Sequence, residues 1–309
     1  MLARVFFALS LLATLVAPAA FADDGWYEFF DRNFTVRHYG KELFGNDIQV
    51  GVLAAAEPRG TVIYMPGFAD TIDNHEALLK GFRDQGLNVI AFDYPEHGKS
   101  TGAIRWWNLE SLARIIPSVL ADPRSAFDPS LPVVLAGWST GGTISVRIAQ
   151  DWSYVLPRGT RLAGVVAYAP ALPARMVIEV KKDRVTDGEM KRGPQPEAVP
   201  VLGEFATSIT IQSRVAAAKD IPAGVSALIL VAGDADQYAQ SEPAVRWVKR
   251  QGANVAGFRC VGSMHGFEFQ PRFGAEAQAA ALDFAVAAAR GDISAFASRE
   301  GAVCPRIAK

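Results

Sequence analysis

The stretch VVLAGWSTG, residues 133–141, decides the fold of this chain. Its first four residues are a short, continuous apolar run that opens with two β-branched valines, which predicts a buried strand. The residues that follow place Ile144, Ile148 and Trp152 at the spacing of one helix face. Ser139 therefore lies on a sharp strand-to-helix turn, where small neighbours let the backbone bend and the hydroxyl stand clear of the sheet. A hydroxyl in that position can attack a carbonyl carbon.

Strand-like and helix-like segments alternate on both sides of this turn. Apolar strands are predicted at residues 61–65, 87–92, 133–136, 162–169, 227–232 and 255–261. Helical patterns are predicted at residues 74–85, 109–120, 142–152, 242–251 and 275–290. This alternation predicts an α/β fold with a mostly parallel central sheet flanked by helices. Residues 34–38 and 48–52 indicate a hairpin that adds antiparallel edge strands.

One segment, at about residues 173–222, interrupts the alternation. It carries many charges, contains Pro194, Pro196 and Pro200, and shows no clean strand. Structureless loops of this length are rare in compact domains and are usually lids or binding loops. Because open α/β sheets bind ligands at their strand ends, we interpret this insertion as a cap over a binding site.

The first 22 residues have the pattern of a secretory signal peptide. A basic end at residues 1–4 precedes an apolar core at residues 5–16 and the small-x-small sequence Ala20-Phe21-Ala22. This core is shorter than the roughly 20 apolar residues that span a bilayer. We therefore expect cleavage before Asp23, export to the periplasm or the medium, and no stable membrane insertion of the mature domain, residues 23–309.

The composition is that of a soluble globular protein. The chain has 309 residues, half of them hydrophobic, with 31 basic and 32 acidic side chains. Its net charge of -1 argues against nucleic acid as a main partner, since such partners require a basic surface. Export would allow Cys260 and Cys304 to form a disulfide. Two unpaired thiols are the alternative, and nothing in the sequence indicates the oligomeric state.

A serine nucleophile needs a base, and the base needs a carboxylate that orients it. On this type of turn the partners follow the nucleophile in the order serine, acid, histidine. Of the four histidines in the chain only His265 follows Ser139, so elimination indicates the base. The acid should follow the strand at residues 227–232. Both Asp234 and Asp236 qualify there, and composition does not separate them.

Two backbone N–H groups are also needed to stabilise the oxyanion that forms during acyl transfer. Thr140, directly after the nucleophile, is expected to supply one. The loop PGFAD at residues 66–70 should supply the other, and Phe68 is the natural donor because proline has no N–H. The sequence shows no metal-ligand spacing, and this chemistry requires no metal or organic cofactor.

With these residues in place, the chain resembles the α/β-hydrolase superfamily. It is similar in particular to the branch of monoacylglycerol lipases, lysophospholipases and serine aminopeptidases. The resemblance runs from about residue 61 to 290 and includes DYPEHGKS at residues 93–100. That segment is similar to the D-x-x-G-H-G-x-S turn of the branch, with Glu96 in place of the first glycine. The resemblance implies a structural role for His97.

The resemblance also bears on the acid and on the oxyanion loop. The branch carries a G-x-x-D motif that matches residues 233–236, which implies that Asp236 is the acid. Pro66 stands where relatives usually have a histidine. We expect this change to alter the loop without removing the Phe68 N–H.

The resemblance implies a serine hydrolase that cleaves small or lipid-like carboxylic esters through an acyl-enzyme, and the leader pattern predicts that it is exported. Ser139, His265 and Asp236 would form its triad. A peptidase or thioesterase is an alternative within the branch, because the same triad serves other acyl groups. A binding protein that has kept the fold without turnover is a further alternative. Substrate identity and acyl-chain preference depend on the pocket and are not indicated by the sequence.

Overall fold

The computed structural model describes residues 25–40, 45–186, 190–194 and 197–309. The predicted signal peptide lies outside these ranges. The strands are β1 Arg32–His38, β2 Asn46–Leu53, β3 Thr61–Met65, β4 Asn88–Phe92, β5 Val133–Trp138, β6 Leu162–Tyr168, β7 Glu179–Lys181, β8 Ala198–Pro200, β9 Ser226–Val231 and β10 Val255–Arg259. The α-helices are α1 Glu76–Asp84, α2 Leu109–Ala113, α3 Ile115–Ala121, α4 Thr140–Arg147, α5 Asp183–Thr186, α6 Gly203–Ala218, α7 Ser241–Arg250, α8 Gly274–Arg290 and α9 Ser294–Ala297.

One eight-stranded sheet, in the order β1-β2-β4-β3-β5-β6-β9-β10, forms the centre of the molecule. The pairs from β4 to β10 are parallel, whereas β1–β2 and β2–β4 are antiparallel. This confirms the predicted α/β class and the antiparallel hairpin at one edge. Because the parallel strands share a direction, their carboxyl ends meet at one edge, and the loops that carry the candidate site residues start there.

Helices cover both faces of the sheet, as the uninterrupted apolar strands require. The alternation within β5 shows how the two cores form. Val133 and Leu135 join the core beneath α2, α3, α4 and α7, while Val134 and Ala136 join the core beneath α1 and α8. Among the residues that the structure describes, no helix is both long and apolar enough to cross a bilayer.

Two predicted helices differ from the structure in detail. The helix predicted at residues 109–120 is divided into α2 and α3 at Arg114, which caps the end of the first helix and the start of the second. Pro117 explains this division, because it has no N–H to donate to the carbonyl four residues earlier. The helix predicted at residues 142–152 begins earlier, at Thr140, and its last turn, residues 148–152, is a π-helix.

The segment at residues 173–222 contains more regular structure than its sequence indicated. Strands β7 and β8 pair as an antiparallel ribbon, and the sixteen-residue helix α6 follows them. Helix α6 contacts α2 and α4, and its Phe205 ring stacks on Phe68 with centroids 4.7 Å apart. The prediction that this segment contains no strand is therefore wrong. Strands β7 and β8 are short, and each is stabilised by pairing with the other.

The C-terminal tail is fixed to the edge strand of the sheet. Cys260, directly after β10, forms a disulfide with Cys304. The Arg259 N–H donates to Pro305 O at 3.0 Å, and the Ile307 N–H donates to Gly257 O at 2.8 Å. The structure thus places the two cysteines in the paired arrangement that the sequence left open.

We expect Cys304→Ser to lower the free energy of unfolding by about 2–4 kcal/mol, since the disulfide restrains a long loop of the unfolded chain. Urea denaturation with and without dithiothreitol measures this difference. Reductant should destabilise the wild-type protein by a similar amount and leave the variant unchanged. Equal sensitivity of both proteins to the reductant would contradict this account.

Candidate active site

Ser139 lies on a strained turn between β5 and α4. Its φ of 51° is in the left-handed region, which is uncommon for a residue with a side chain. A Cβ atom on Gly137 would lie 2.5 Å from the Gly141 carbonyl carbon, and one on Gly141 would lie 2.0 Å from Met65 O. Only glycine therefore fits on either side of the turn, which explains the Gly-x-Ser-x-Gly spacing.

The structure brings Ser139, His265 and Asp236 together in a continuous chain of hydrogen bonds. The Ser139 Oγ lies 2.7 Å from His265 Nε2, and His265 Nδ1 lies 2.8 Å from Asp236 Oδ2. The other carboxylate oxygen, Oδ1, accepts the N–H groups of Tyr238 and Ala239 at 2.7 and 2.9 Å. These bonds fix the carboxylate, so the imidazole is held with Nε2 directed at the hydroxyl. A histidine in this arrangement can accept the proton of an attacking serine.

Asp234 lies elsewhere. Its side chain is 69% exposed and pairs with Arg259 at the protein surface. Asp236, in contrast, is buried. The structure therefore places Asp236 beside His265, as the family resemblance implied. The sequence alone did not distinguish Asp236 from Asp234.

Trp138 and Tyr238 enclose the His265 ring. Each aromatic ring lies 5.3 Å from the imidazole, measured between centroids. The Trp138 indole N–H also donates to the His265 carbonyl oxygen at 3.2 Å. Trp138, which directly precedes Ser139, thus holds the backbone of His265, the expected base.

The loop after β3 contains a backbone N–H group that makes no hydrogen bond to the residues that the structure describes. The Gly67 N–H donates to Asp70 Oδ2 at 3.3 Å, and the Ala69 N–H donates to His97 Nε2 at 3.0 Å. Between them, the Phe68 N–H has no acceptor in the described part of the chain, nor has that of Thr140 at the start of α4. Unbonded N–H groups at a helix start favour negative charge. The two predicted oxyanion donors are thus available to a ligand.

His97 holds this loop rather than approaching Ser139. It is fully buried, and burial lowers the pKa of its imidazole to about 4, so the ring is neutral at physiological pH. Its Nδ1–H then donates to Pro95 O at 2.9 Å while Nε2 accepts from Ala69. Glu96, in place of the glycine of related turns, adopts a φ of 66° and accepts the Ile104 N–H at 3.0 Å.

An apolar pocket opens beside Ser139. Its volume, open mouth included, is about 520 Å³. The segment at residues 173–222 supplies much of its wall through Val177, Val180, Val185, Val201, Phe205 and Ile209. Trp138 and Phe68, the latter stacked on Phe205, also line the pocket. Such walls suit an apolar group attached to the reacting carbonyl.

Sequence reasoning missed three buried ionisable residues beside this site, namely Asp70, His75 and Glu268. His75 precedes the nucleophile in the chain, so the order of the triad excludes it as the base. Two signals pointed toward the cluster: Asp70 lies in the predicted oxyanion loop, and Glu268 follows His265 by three residues. Neither signal shows that all three meet.

The fold and the site define an α/β-hydrolase of the serine-hydrolase type. Residues 56–216, more than half of the chain, match the family described as serine aminopeptidase, S33. The chain belongs to that family, and a hydrolase is the class of enzyme that the family defines.

Similar proteins include lipases and esterases. Phospholipase YtpA of Bacillus subtilis (strain 168) is 25% identical over 136 residues, which cover 43% of this chain and 49% of that protein. The chain thus matches about half the length of this curated relative. Monoacylglycerol lipase of Paleococcus ferrophilus superposes with a TM-score of 0.62 at 20% identity, over 78% of this chain and 99% of that one.

A carboxyl esterase from Bacillus coagulans in complex with glycerol also has this fold. It gives a TM-score of 0.62 at 14% identity, over 84% of this chain and 98% of that one. A soluble variant of monoglyceride lipase from Saccharomyces cerevisiae, in complex with a substrate analogue, gives 0.60 at 14% identity, over 82% and 96%. At these identities the likeness shows a shared fold.

Proposed function

We propose that this protein is an exported serine hydrolase that cleaves carboxylic esters with a small or lipid-like acyl group. One observation carries the proposal: the hydrogen-bonded chain from Asp236 through His265 to Ser139 ends beside an apolar pocket and two unbonded N–H groups. These groups support the proposal, because an ester hydrolase of this type needs a nucleophile, a base, an orienting carboxylate and oxyanion donors close together.

In the proposed mechanism the Ser139 Oγ attacks the ester carbonyl carbon while His265 Nε2 takes its proton. The N–H groups of Phe68 and Thr140 stabilise the oxyanion, and Asp236 stabilises the imidazolium. Collapse of the intermediate expels the alcohol, which receives that proton from His265. A water molecule, deprotonated by His265, then attacks the acyl-enzyme, and a second collapse returns the proton to Ser139 and releases the acid.

The pocket supports an ester with an apolar acyl group over a peptide substrate. Its walls are mostly aliphatic and aromatic, and such walls bind an acyl chain by burying its apolar surface. The names of the similar proteins, which include a phospholipase, a monoacylglycerol lipase and a carboxyl esterase, point the same way. Peptide and thioester cleavage are the competing activities, since the family is described as serine aminopeptidase.

Export forms part of the proposal. It is supported by the leader pattern of residues 1–22 and by the Cys260–Cys304 disulfide, since disulfides persist mainly in oxidising compartments. Detection of the processed chain in the periplasm or medium, beginning at Asp23, is the expected result. Recovery of the full-length chain from the cytoplasm would contradict export.

Hydrolysis of p-nitrophenyl esters from acetate to palmitate tests the proposed activity, with matched amide and thioester substrates as competitors. We expect Ser139-dependent cleavage of the esters with an optimum at one chain length. Faster cleavage of the amide or thioester series would replace the proposed substrate class. Absence of Ser139-dependent cleavage in all three series would favour a binding protein.

The pocket wall should select the acyl chain. Ile209 lines the pocket, whereas Ile211 on the same helix is 52% exposed. We expect Ile209→Asn to lower kcat/KM about tenfold for the longest ester that the wild type prefers, because a polar wall loses apolar contact with the chain. The acetate ester should be little affected. Ile211→Asn is the matched control, and equal effects of both variants would contradict this role of Ile209.

A further inference from the structure

A second group of buried ionisable side chains lies behind the candidate site. His75, just before α1, has its Nε2 2.6 Å from Asp70 Oδ2. Its Nδ1 lies 2.8 Å from Tyr64 Oη and 3.1 Å from Glu268 Oε1. The side chains of Asp70, His75 and Glu268 are at most 3% exposed. The proposed mechanism uses none of them.

The charge of this cluster is centred on His75. Burial by itself lowers the pKa of the imidazole, but the adjacent Asp70 and Glu268 carboxylates outweigh burial and raise that pKa to about 10. The ring is therefore an imidazolium at neutral pH, with both nitrogens donating. Burial raises the pKa of Glu268, and neither of its carboxylate oxygens receives a well-directed hydrogen bond. The positive charge of His75, whose Nδ1 lies 3.1 Å from Glu268 Oε1, opposes that rise in pKa.

One side of the cluster contacts the predicted oxyanion loop. The Asp70 oxygen that receives His75 Nε2–H, Oδ2, also accepts the Gly67 N–H, and Oδ1 accepts the Asn74 side-chain amide at 2.8 Å. Gly67 directly precedes Phe68. Loss of His75 would therefore remove one of the contacts that fix the Asp70 carboxylate, and with it part of the support of the turn that directs the Phe68 N–H.

The other side of the cluster reaches the loop of the proposed base. Glu268 belongs to the 3₁₀ turn of residues 267–269, which begins two residues after His265. Phe269 of the same turn packs its ring on both His75 and Trp138, with centroids 5.1 and 5.8 Å away. Trp138 in turn holds the His265 carbonyl. A shift of Glu268 would therefore be transmitted to the imidazole that faces Ser139.

We propose that His75 is a positioning residue: by joining Asp70 to Glu268, it holds the loop of the Phe68 N–H in register with the loop of His265. The inference rests on the proposed function, because it assigns to His75 the alignment of the proposed oxyanion donor with the proposed base. His75 contacts no reacting atom in this scheme.

The test compares steady-state kinetics of His75→Gln with those of the wild type. A glutamine side chain can donate a hydrogen bond, but it carries no charge and cannot donate to Asp70 and Glu268 from two separate ring nitrogens. We expect kcat to fall about tenfold to a hundredfold, with KM nearly unchanged. This fall should not exceed the fall in kcat that follows removal of one oxyanion donor. His38→Gln is the matched control, since His38 is also buried but lies on β1, bonded to Ser118. Wild-type kcat in a folded His75→Gln variant overturns the proposal.

A second variant covers the case in which His75→Gln does not fold. Glu268→Gln keeps the His75–Asp70 contact and removes only the charge on the His265 side. We expect its kcat to fall several-fold with KM nearly unchanged, because the contact between His75 and the His265 loop is weakened while the substrate pocket is kept. An unchanged kcat in the folded Glu268→Gln variant overturns the proposal.

A readout without turnover separates this inference from the proposed function. The backbone amide resonances of Gly67 and Phe68 should shift in His75→Gln and stay in place in His38→Gln. If the wild type cleaves no ester, amide or thioester, the proposed function fails whatever these resonances do. If they stay in place in His75→Gln, the positioning role fails even when the enzyme is active.

Discussion

Replacement of Ser139 by alanine is expected to lower kcat by about four to six powers of ten and so to abolish measurable ester hydrolysis. The reason is direct: the Ser139 Oγ is the atom 2.7 Å from His265 Nε2, and alanine leaves that imidazole without a nucleophile to deprotonate. Binding and the oxyanion donors would survive, so KM for the ester should change much less than kcat. Steady-state rates with the preferred p-nitrophenyl ester measure both.

Two controls make this result specific. Ser145 lies on the same helix, but its hydroxyl donates to Gly141 O at 2.9 Å and does not reach the pocket. Ser145→Ala should retain turnover and labelling by a fluorophosphonate probe, whereas Ser139→Ala should lose both. The thermal midpoints of the variants show whether each is folded. A folded Ser139→Ala variant with near-normal turnover would remove Ser139 from the mechanism.

Replacement of Asp236 by asparagine should lower kcat by about three to four powers of ten, as the same change does in the triad of a serine protease. An amide in place of the carboxylate no longer stabilises the imidazolium and can stabilise the wrong tautomer of His265. Two backbone N–H groups hold the buried Asp236 side chain, so the geometry around an asparagine should be retained while the charge is lost. Steady-state kinetics with the preferred ester measure the loss.

Asp234→Asn provides the matched control, because the two aspartates are two residues apart and only one meets His265. Its exposed carboxylate pairs with Arg259, and such surface pairs contribute little to stability. We expect kcat of Asp234→Asn to stay within about twofold of the wild type. The reverse order of effects would transfer the role of acid to Asp234.

The sequence predicted the fold and part of the site for identifiable physical reasons. The strands β3, β5 and β6 are buried on both faces, so their continuous apolar runs stand out from the rest of the chain. Ser139 and His265 were predicted because a glycine-flanked turn and a fixed chain order restrict the candidates. The choice of Asp236 over Asp234 required the family resemblance, since the direction of a side chain on a loop is not encoded in its local sequence.

Other features depend on contacts that no short pattern encodes. Helix α6 escaped prediction because Thr207, Thr210 and the exposed Ile211 interrupt its apolar stripe, while Phe205 is ordered by a ring on a distant loop. The meeting of His75 with Glu268 joins residues almost two hundred positions apart. These two residues are neighbours only in the folded chain.

The C-terminal tail, which the Cys260–Cys304 disulfide holds against β10, affects the solubility of the protein. Strand β10 ends the sheet, and an uncovered edge strand can pair with a second molecule and seed aggregates. Residues 305–307 occupy backbone positions along that edge, and Pro305 offers no N–H to a further strand. Reduction of the disulfide in concentrated solution should therefore release the cover and promote association between molecules, even where each molecule remains folded.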